Sequence, residues 1–200
     1  TQSGFDSPWD RQHFDMKLLR IGRSNQEKPA IIDDSNIIRD LSSIIEDLNP
    51  ETINFNTIKK INNTNVKDLP KISKNERIGA CVSNPQKFIG IGLNYADHAE
   101  ETGVKPPDEP IIFMKANSCI TGPNDSILIP KKSTKTDWEI ELGIIIGEKA
   151  SYISENDSTK HIFGYCIVND ISEREFQIKR SGTWDKGKGC DTFGPIGPYI

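Results

Sequence analysis

A series of short apolar segments, rich in β-branched residues and separated by Pro and Gly, begins at Arg77 and constrains the fold most strongly. These segments are RIGACV, KFIGIGLN, PIIFMKA, SILIP, WEIELGIII and HIFGYCIVN. Such runs predict β-strands. Two helical patterns interrupt them, YADHAEETG and SEREFQIKR. Because strands outnumber helices, the sequence predicts an α+β, β-rich fold, rolled or barrel-like, rather than alternating βαβ units.

The part of the chain before this series carries weaker signals and predicts a separate unit. Residues 1–15 are polar and aperiodic, and we interpret them as an N-terminal extension or a cloning remnant. Residues 16–76 predict a small N-terminal subdomain with strands KLLRIG, PAIID and IIRDL and a short helix SSIIEDL. Residues 77–200 are predicted to form a second, β-rich domain.

Composition excludes several classes of protein. The 200 residues are 34% hydrophobic and 27% charged, with a formal net charge of −4. No basic stripe is present, so nucleic acid is not expected as a partner. No apolar run approaches the roughly 18 residues of a membrane span. The cysteines lie far apart without a C-x-x-C pair, which favours free thiols and a cytoplasmic protein.

Two glutamates interrupt the apolar strand WEIELGIII. Side chains alternate along a strand, so Glu139 and Glu141 share one face, while Ile140 and Leu142 share the other. They either face solvent on an edge strand or, with Asp170 at the end of the next apolar strand, hold a cation. The chain has three histidines and no paired cysteines, so such a cation requires oxygen ligands. Oxygen ligands indicate Mg²⁺ or Mn²⁺, with Ca²⁺ as a further candidate.

A histidine lies on the first of the two predicted helices. His98 has Glu101 one turn later, on the same face. A carboxylate beside a histidine is a common arrangement for taking a proton from water. The alternative is a surface histidine in an acidic helix.

A glycine-rich segment, GTWDKGKGCDTFGPIGP, spans residues 182–198. Its first residues resemble a phosphate-binding loop, but Gly189 stands where Ser or Thr would be needed, so nucleotide binding is rejected. We interpret the segment as a mobile loop that delivers Lys188 as a positive charge.

Five segments together resemble the fumarylacetoacetate hydrolase family: GIGLNYADHAEETG, EPIIFMK, DWEIELGIIIG, NDISEREFQ and GTWDKGKGCDTFGPIGP. The likeness is closest to short bacterial members described as 2,4-diketo-3-deoxy sugar acid (L-fuconate or L-rhamnonate) hydrolases. It implies a mixed β-roll with a small N-terminal domain, a divalent metal ion and a homodimer.

The resemblance also implies roles for individual residues. It assigns the metal carboxylates to Glu139, Glu141 and Asp170, the water-activating pair to His98 and Glu101, a positive charge to Lys188, and substrate contacts to Arg174 and Gln177. Lys115 is typical of the family without a clear role.

Two departures from the family pattern affect the expectations. Asn94 stands where the fumarylacetoacetate-cleaving enzyme has an additional acid, which argues against that substrate. The chain also stops at GPYI, where short members continue, so the catalytic domain is expected to be incomplete at its C-terminus.

The function expected from the resemblance is metal-dependent hydrolysis of a C–C bond between two carbonyls in a small 2,4-diketo acid. Decarboxylation of oxaloacetate, tautomerisation and a ureidoglycolate lyase-type activity are the alternatives that would use a similar site. A non-catalytic metal-binding module is the alternative from a different class.

Overall fold

A computed structural model of the chain describes residues 16–95 and 107–200. Its strands are β1 (Lys17–Ile21), β2 (Lys28–Ile32), β3 (Ile38–Asp40), β4 (Ile89–Gly92), β5 (Ile111–Met114), β6 (Ile120–Thr121), β7 (Thr136–Asp137), β8 (Ile140–Ile146), β9 (Ile162–Asn169), β10 (Ser172–Glu173) and β11 (Gly194–Gly197). Its α-helices are α1 (Phe55–Asn62), α2 (Arg174–Lys179) and α3 (Asp185–Lys188). Short 3₁₀ turns span Val66–Asp68, Asn117–Cys119 and Glu155–His161. The predicted α+β, β-rich class is confirmed.

The first three strands form an antiparallel sheet in the order β1-β2-β3. Strand β1 also pairs with the last residue of the chain, because Leu18 N donates to Ile200 O at 3.0 Å and Ile200 N donates to Leu18 O at 2.8 Å. One apolar core therefore includes buried residues from both predicted units, such as Leu41 and Val168. The boundary at residue 76 stays a prediction.

Local patterns predicted most elements but not all of them. The segment SSIIEDL forms turns rather than a helix, because Asp40 Oδ1 accepts from Ser42 N and Ile44 N bonds to Leu41 O. RIGACV makes only an isolated bridge between Ile78 and Ile21, and SILIP is not a strand. The predicted helix YADHAEETG lies mostly outside the described residues. None of the helices in residues 16–95 and 107–200 has the length and apolar composition of a membrane span.

The largest sheet has the order β6-β11-β9-β8 and brings the acidic residues together. Strand β8 pairs antiparallel with β9, with Ile140 opposite Asn169. Just beyond this pair, Asp170 N donates to Glu139 O at 2.8 Å. The ends of two strands that are adjacent in space thus place Glu139 next to Asp170.

An ion-pair network joins the N-terminal sheet to the loop after β6. Arg77 donates through Nε and Nη2 to the two carboxylate oxygens of Asp125, at 2.7 and 2.6 Å, and through Nη1 to Glu27 at 2.7 Å. Such bidentate pairing is the strongest form of a carboxylate–guanidinium contact. The hydrogen bonds from Arg77 lower the pKa of Asp125 to about 2.

Replacing Asp125 by asparagine is therefore expected to destabilise the protein in a pH-dependent way. The pKa of Asp125 is lower in the folded state than in the unfolded state. The ion pair therefore stabilises the fold above about pH 5, and this stabilisation is lost as the pH falls toward 2. The pair is partly exposed, so we expect a loss of about 1 kcal/mol at pH 7. Urea unfolding from pH 7 to pH 3 measures this difference, which should shrink at low pH. Asp34→Asn, at an exposed position, is the control, and an equal pH dependence of both variants would contradict the prediction.

Candidate active site

Two buried lysines and one buried aspartate form the centre of the candidate site. Asp170 follows β9, Lys188 ends α3, and Lys115 follows β5. Lys115 Nζ donates to Asp170 Oδ1 at 2.6 Å, and Lys188 Nζ donates to Asp170 Oδ2 at 2.7 Å. Both lysine side chains are only 2% exposed. Burial alone would raise the pKa of Asp170, but the two ammonium groups outweigh it and hold that pKa below its ordinary value.

Lys115 also ties the elements of the site together through the backbone. Its Nζ donates to the carbonyl oxygens of Lys188, at 2.5 Å, and of Ile171, at 3.3 Å. All three hydrogens of this ammonium therefore have partners on other segments of the chain. Lys115 thus fixes the end of α3 against the end of β9.

Glu139 extends the charged centre toward solvent. Its Oε2 accepts from Lys188 Nζ at 2.6 Å, and its Oε1 accepts from Arg174 Nη1 at 2.5 Å. Arg174 also donates through Nε and Nη2 to Asp137 Oδ2, at 3.1 and 2.8 Å. These hydrogen bonds lower the pKa of Asp137. They also account for Asp137, which shares the face of Glu139 by strand alternation.

Glu141 is the acidic residue of this face that has no cationic partner among the described residues. Its Oε2 accepts from Asn94 Nδ2 at 3.2 Å. Burial raises the pKa of Glu141, and the carboxylates of Glu139 and Asp170 raise it further. Both burial and the neighbouring carboxylates thus disfavour the charged form of Glu141.

Two aromatic rings border the lysine on the side of β4 and β5. The Lys188 Nζ lies 5.1 Å from the centroid of the Phe113 ring, and this ring packs against Trp184 with centroids 5.5 Å apart. Both rings lie over glycines of β4. A Cβ on Gly90 would come within 2.2 Å of the Phe113 ring, and a Cβ on Gly92 would come within 2.4 Å of the Trp184 ring. A cavity of about 330 Å³ opens beside this pair.

Helix α2 carries the two residues expected to contact substrate. Gln177 is buried, and its Oε1 accepts from Arg174 Nη1 at 3.3 Å. The N-cap of the helix is Glu173, whose side chain accepts from Glu175 N. Glu173 is fully buried and also accepts from Ser133. No sequence signal singled out Glu173, because its partners lie about forty residues earlier in the chain.

The structure brings five of the eight predicted site residues into one hydrogen-bonded network: Glu139, Asp170, Arg174, Gln177 and Lys188. Glu141 lies near this network and accepts a hydrogen bond from Asn94 instead. His98 and Glu101 lie outside the described residues. The segment interpreted as a mobile loop contains a helical turn, Asp185–Lys188, and Lys188 is 1% exposed. The mobility of the segment stays a prediction. The main-chain hydrogen bonds from Gly187 and Lys188 to Trp184 close this helical turn despite its glycines.

The carboxylate oxygens of the site are ligands of the type that bind hard cations. In the described structure, lysine and arginine side chains pair with the carboxylates of Glu139 and Asp170 instead. Among residues 16–95 and 107–200, no three acidic, histidine or cysteine side chains are grouped so that they could hold a metal ion. The ammonium of Lys188 bridges Glu139 and Asp170 instead. The carboxylate oxygens of Glu139, Glu141 and Asp170 are nevertheless ligands of the type that Mg²⁺ and Mn²⁺ prefer.

Comparison with known proteins identifies the family to which this site belongs. Residues 87–200 match the family described as Fumarylacetoacetate (FAA) hydrolase C-terminal. The chain belongs to the fumarylacetoacetate hydrolase family. This finding confirms the resemblance at the level of the family, whose members generally use divalent metals.

Similar proteins share most of this chain but are longer. A protein of Burkholderia orbicola (strain MC0-3), named as a presumed hydrolase, is 54% identical over 185 residues, which are 92% of this chain and 66% of that protein. A Burkholderia multivorans protein of the same kind is 53% identical over 185 residues, with the same coverage of both chains. The chain therefore spans just under two thirds of the length of these curated relatives.

Solved structures of the family superpose on the chain with the same coverage. A fumarylacetoacetate hydrolase from Exiguobacterium antarcticum is 28% identical, with a TM-score of 0.76 over 93% of this chain and 66% of that one. A 2-hydroxyhepta-2,4-diene-1,7-dioate isomerase from Mycobacterium marinum is 29% identical, with a TM-score of 0.68 over 93% of this chain and 66% of that one. These neighbours thus include both a named hydrolase and a named isomerase.

Proposed function

We propose that this chain carries the metal-dependent catalytic site of a hydrolase that cleaves a C–C bond between two carbonyls of a small 2,4-diketo acid. Acylpyruvates and 2,4-diketo-3-deoxy sugar acids are the substrate types. The observation that carries the proposal is the buried Lys188 ammonium held between Glu139 and Asp170. Glu141 lies nearby and has no cationic partner among the described residues. A desolvated positive charge in that place can stabilise an oxyanion that develops in the reaction.

The acidic residues would hold the metal ion in this scheme. Glu139, Glu141 and Asp170 supply carboxylate oxygens, which are the ligands that Mg²⁺ and Mn²⁺ prefer, and Ca²⁺ uses the same type of ligand. A bound divalent ion supplies Lewis-acid stabilisation of negative charge on substrate oxygens.

The other residues bind substrate and move protons. Arg174 is partly exposed and lies beside Glu139, so its guanidinium can pair with the carboxylate of a diketo acid, with Gln177 fixing its orientation. His98, with Glu101 as its expected partner, would take a proton from water, whose oxygen would bond to the distal carbonyl carbon. The C–C bond then breaks, and its electron pair leaves with the released 2-keto acid as an enolate, which is protonated at carbon.

Isomerisation is the second candidate, and the named isomerases among the similar structures favour it. An isomerase moves a proton between carbon or oxygen atoms of the substrate and releases no fragment. The same acidic and basic side chains serve this chemistry without attack by water. Release of a free 2-keto acid therefore distinguishes the two functions.

A metal titration with an acylpyruvate tests the proposal. The purified chain is expected to release pyruvate only when Mg²⁺ or Mn²⁺ is added, as measured by coupling to lactate dehydrogenase. Glu141→Gln should need at least about 10-fold more metal for half-maximal activity, because one ligand charge is lost. Glu148→Gln, at an exposed position after β8, is the matched control. Pyruvate release that is unchanged in excess chelator would refute the metal assignment, and absorbance changes without pyruvate would favour the isomerase.

A further inference from the structure

Glu173 is a buried acidic residue that the proposed reaction does not use. It is 0% exposed. None of the ion pairs formed within residues 16–95 and 107–200 includes it, although ion pairs surround the neighbouring Arg174. A buried carboxylate without a cationic partner costs free energy unless hydrogen bonds replace its lost hydration. The hydrogen-bond donors around Glu173 therefore carry its charge.

Three of the donors to the Glu173 carboxylate come from one segment of the chain. Its Oε2 accepts from Ser133 Oγ, from Lys135 N at 3.2 Å and from Thr136 Oγ1 at 3.2 Å. Its Oε1 accepts from Glu175 N at 3.1 Å. Burial alone would raise the pKa of Glu173, but these hydrogen bonds outweigh it and hold that pKa below its ordinary value. The carboxylate thus ties these three residues to the first turn of α2.

The segment that Glu173 holds leads directly into the candidate site. Glu173 lies opposite Thr136 in the pair of β7 and β10. Arg174 N donates to Lys135 O at 2.9 Å. Asp137, the residue after Thr136, accepts from Arg174 Nε and Nη2 through its Oδ2. Both the backbone and the guanidinium of Arg174 therefore contact the strand that Glu173 fixes.

The contacts of Arg174 direct its guanidinium toward the centre of the site. Its Nη1 donates to Glu139 Oε1 at 2.5 Å and to Gln177 Oε1 at 3.3 Å. The side chain remains 29% exposed, so the guanidinium can also be reached from solvent. A guanidinium recognises a carboxylate through a planar fork of N–H groups, and this recognition requires a fixed orientation.

The backbone of Glu173 also lies against helix α3. A Cβ on Gly187 would come within 2.6 Å of Glu173 O and of Gln177 N. Helix α3, which ends at Lys188, therefore packs directly on the start of α2. Because packed interiors transmit strain, a shift of Glu173 would move both helices.

Glu173 does not itself contact the charged centre. Among the described residues, its side chain bonds only to the segment before β7 and to the start of α2. None of these partners is Glu139, Asp170 or Lys188. A fully buried carboxylate also cannot meet a substrate that arrives from solvent. Any effect of Glu173 on the reaction must therefore pass through the residues that it places.

We infer, on the basis of the proposed function, that Glu173 is a positioning residue for the substrate contact of Arg174. It holds β7 and α2 together, so that the Arg174 guanidinium keeps the direction needed to pair with the carboxylate of a 2-keto acid. Displacing a binding group by about 1 Å can cost roughly 100-fold in rate. Glu173 thus acts on substrate binding without touching the substrate.

Steady-state kinetics of pyruvate release from an acylpyruvate tests this role. Glu173→Gln keeps the volume but turns one acceptor oxygen into an NH₂ group that faces other donors. We expect KM to rise about 10-fold with little change in kcat, because a contact to the substrate carboxylate is made equally before and during the reaction. Glu175→Gln is the matched control, since Glu175 lies on the same helix and pairs with the exposed Arg180. The control should match the wild type.

A double-mutant cycle with Arg174 separates positioning from a merely structural role. In an Arg174→Met background, Glu173→Gln should change KM by less than about 2-fold, because the group that it orients is gone. Ser133→Ala removes a donor to Glu173 Oε2, so it should raise KM in the same direction, and it keeps the test available if Glu173→Gln does not fold. A wild-type KM in both Glu173→Gln and Ser133→Ala, or fully additive effects in the cycle, would overturn the positioning role.

Chemical labelling provides a readout that does not require turnover. Phenylglyoxal modifies accessible guanidinium groups, and mass spectrometry measures the rate at each arginine. Arg174 should react at least about 5-fold faster in Glu173→Gln than in the wild type, because local opening exposes it. Arg39, whose side chain is 9% exposed and pairs with Asp33 at 2.8 Å, should react at the wild-type rate.

The labelling result distinguishes the positioning role from the proposed function. Faster labelling of Arg174 in a chain whose wild type releases no pyruvate would contradict the proposed function and support the positioning role. Unchanged labelling of Arg174, or equal acceleration at Arg39, would overturn the positioning role whatever the reaction is.

Discussion

Replacing Asp170 by alanine is expected to lower the free energy of unfolding by about 3–5 kcal/mol, because two buried ammonium groups lose their shared counter-ion. Lys115 and Lys188 are both within 2.7 Å of its carboxylate and only 2% exposed. Neither ammonium can reach water without opening the contacts among β5, β9 and α3. Urea unfolding in the presence of chelator measures this cost without a contribution from bound metal.

An exposed pair of similar geometry is the control for this prediction. Lys160 and Asp157 approach to 2.5 Å, but their side chains are 57% and 47% exposed. Removing Asp157 should therefore change stability little, since exposed ion pairs contribute little. If Asp170→Ala costs no more than Asp157→Ala, then the buried network does not stabilise the fold.

A double-mutant cycle separates the contact from the cavity that alanine creates. Lys115→Met removes one of the two ammonium groups, so the additional loss of Asp170 should cost less in that background. We expect a coupling free energy of at least about 1 kcal/mol between the two positions. Should the full variant fail to fold, Asp170→Asn keeps the shape and allows the same cycle.

Under the proposed function, replacing Lys188 by methionine is expected to lower kcat/KM for a 2,4-diketo acid by about 100- to 1,000-fold. Methionine keeps the volume but removes the positive charge that faces Glu139, Asp170 and the developing oxyanion, and losing one such group has a cost of this size. The effect should be mainly on kcat, because the interaction strengthens as negative charge develops. Steady-state kinetics on the substrate that releases pyruvate measures it.

Metal affinity provides a readout for Lys188 that does not require turnover. Without the ammonium, Glu139 and Asp170 lose a competing cation, so Mn²⁺ should bind about 10-fold more tightly to Lys188→Met. Lys186→Met, an exposed position on the same helix, should match the wild type in both measurements. Wild-type kcat/KM in Lys188→Met would refute the catalytic role, and weaker Mn²⁺ binding would refute the competition.

Much of the fold could be predicted from local pattern. Strands β1, β3, β4, β5, β8 and β9 lie within predicted segments, and β2 begins one residue before its predicted segment. Period-two alternation and β-branched residues are local signals. The helix predicted for SSIIEDL does not form. The Asp40 side chain accepts a hydrogen bond from Ser42 N and stabilises a turn there instead. The strand predicted for RIGACV does not form, because a strand needs a neighbouring strand along its length. Ile78 makes only a single bridge to Ile21 of β1.

The candidate site was predicted in part. The alternation along the strand grouped Glu139 with Glu141, and the family resemblance added Asp170, Arg174, Gln177 and Lys188. Their dense pairing could not be predicted, nor could the burial of Lys188, because glycine-rich sequence favours an open loop. The role of Lys115 emerged only from its three contacts to Asp170, Ile171 and Lys188.

The sequence by itself determined which side chains of β8 share a face, because strand alternation follows from backbone geometry and needs no partner. Only the tertiary structure decided that the face with Glu139 and Glu141 is the half-buried one and that the isoleucine face is open. It also decided which cation meets which carboxylate. Lys115 and Asp170 are 55 residues apart in sequence, and Asp170 and Lys188 are 18 apart. Their contacts depend on how β5, β9 and α3 pack, which no local pattern encodes.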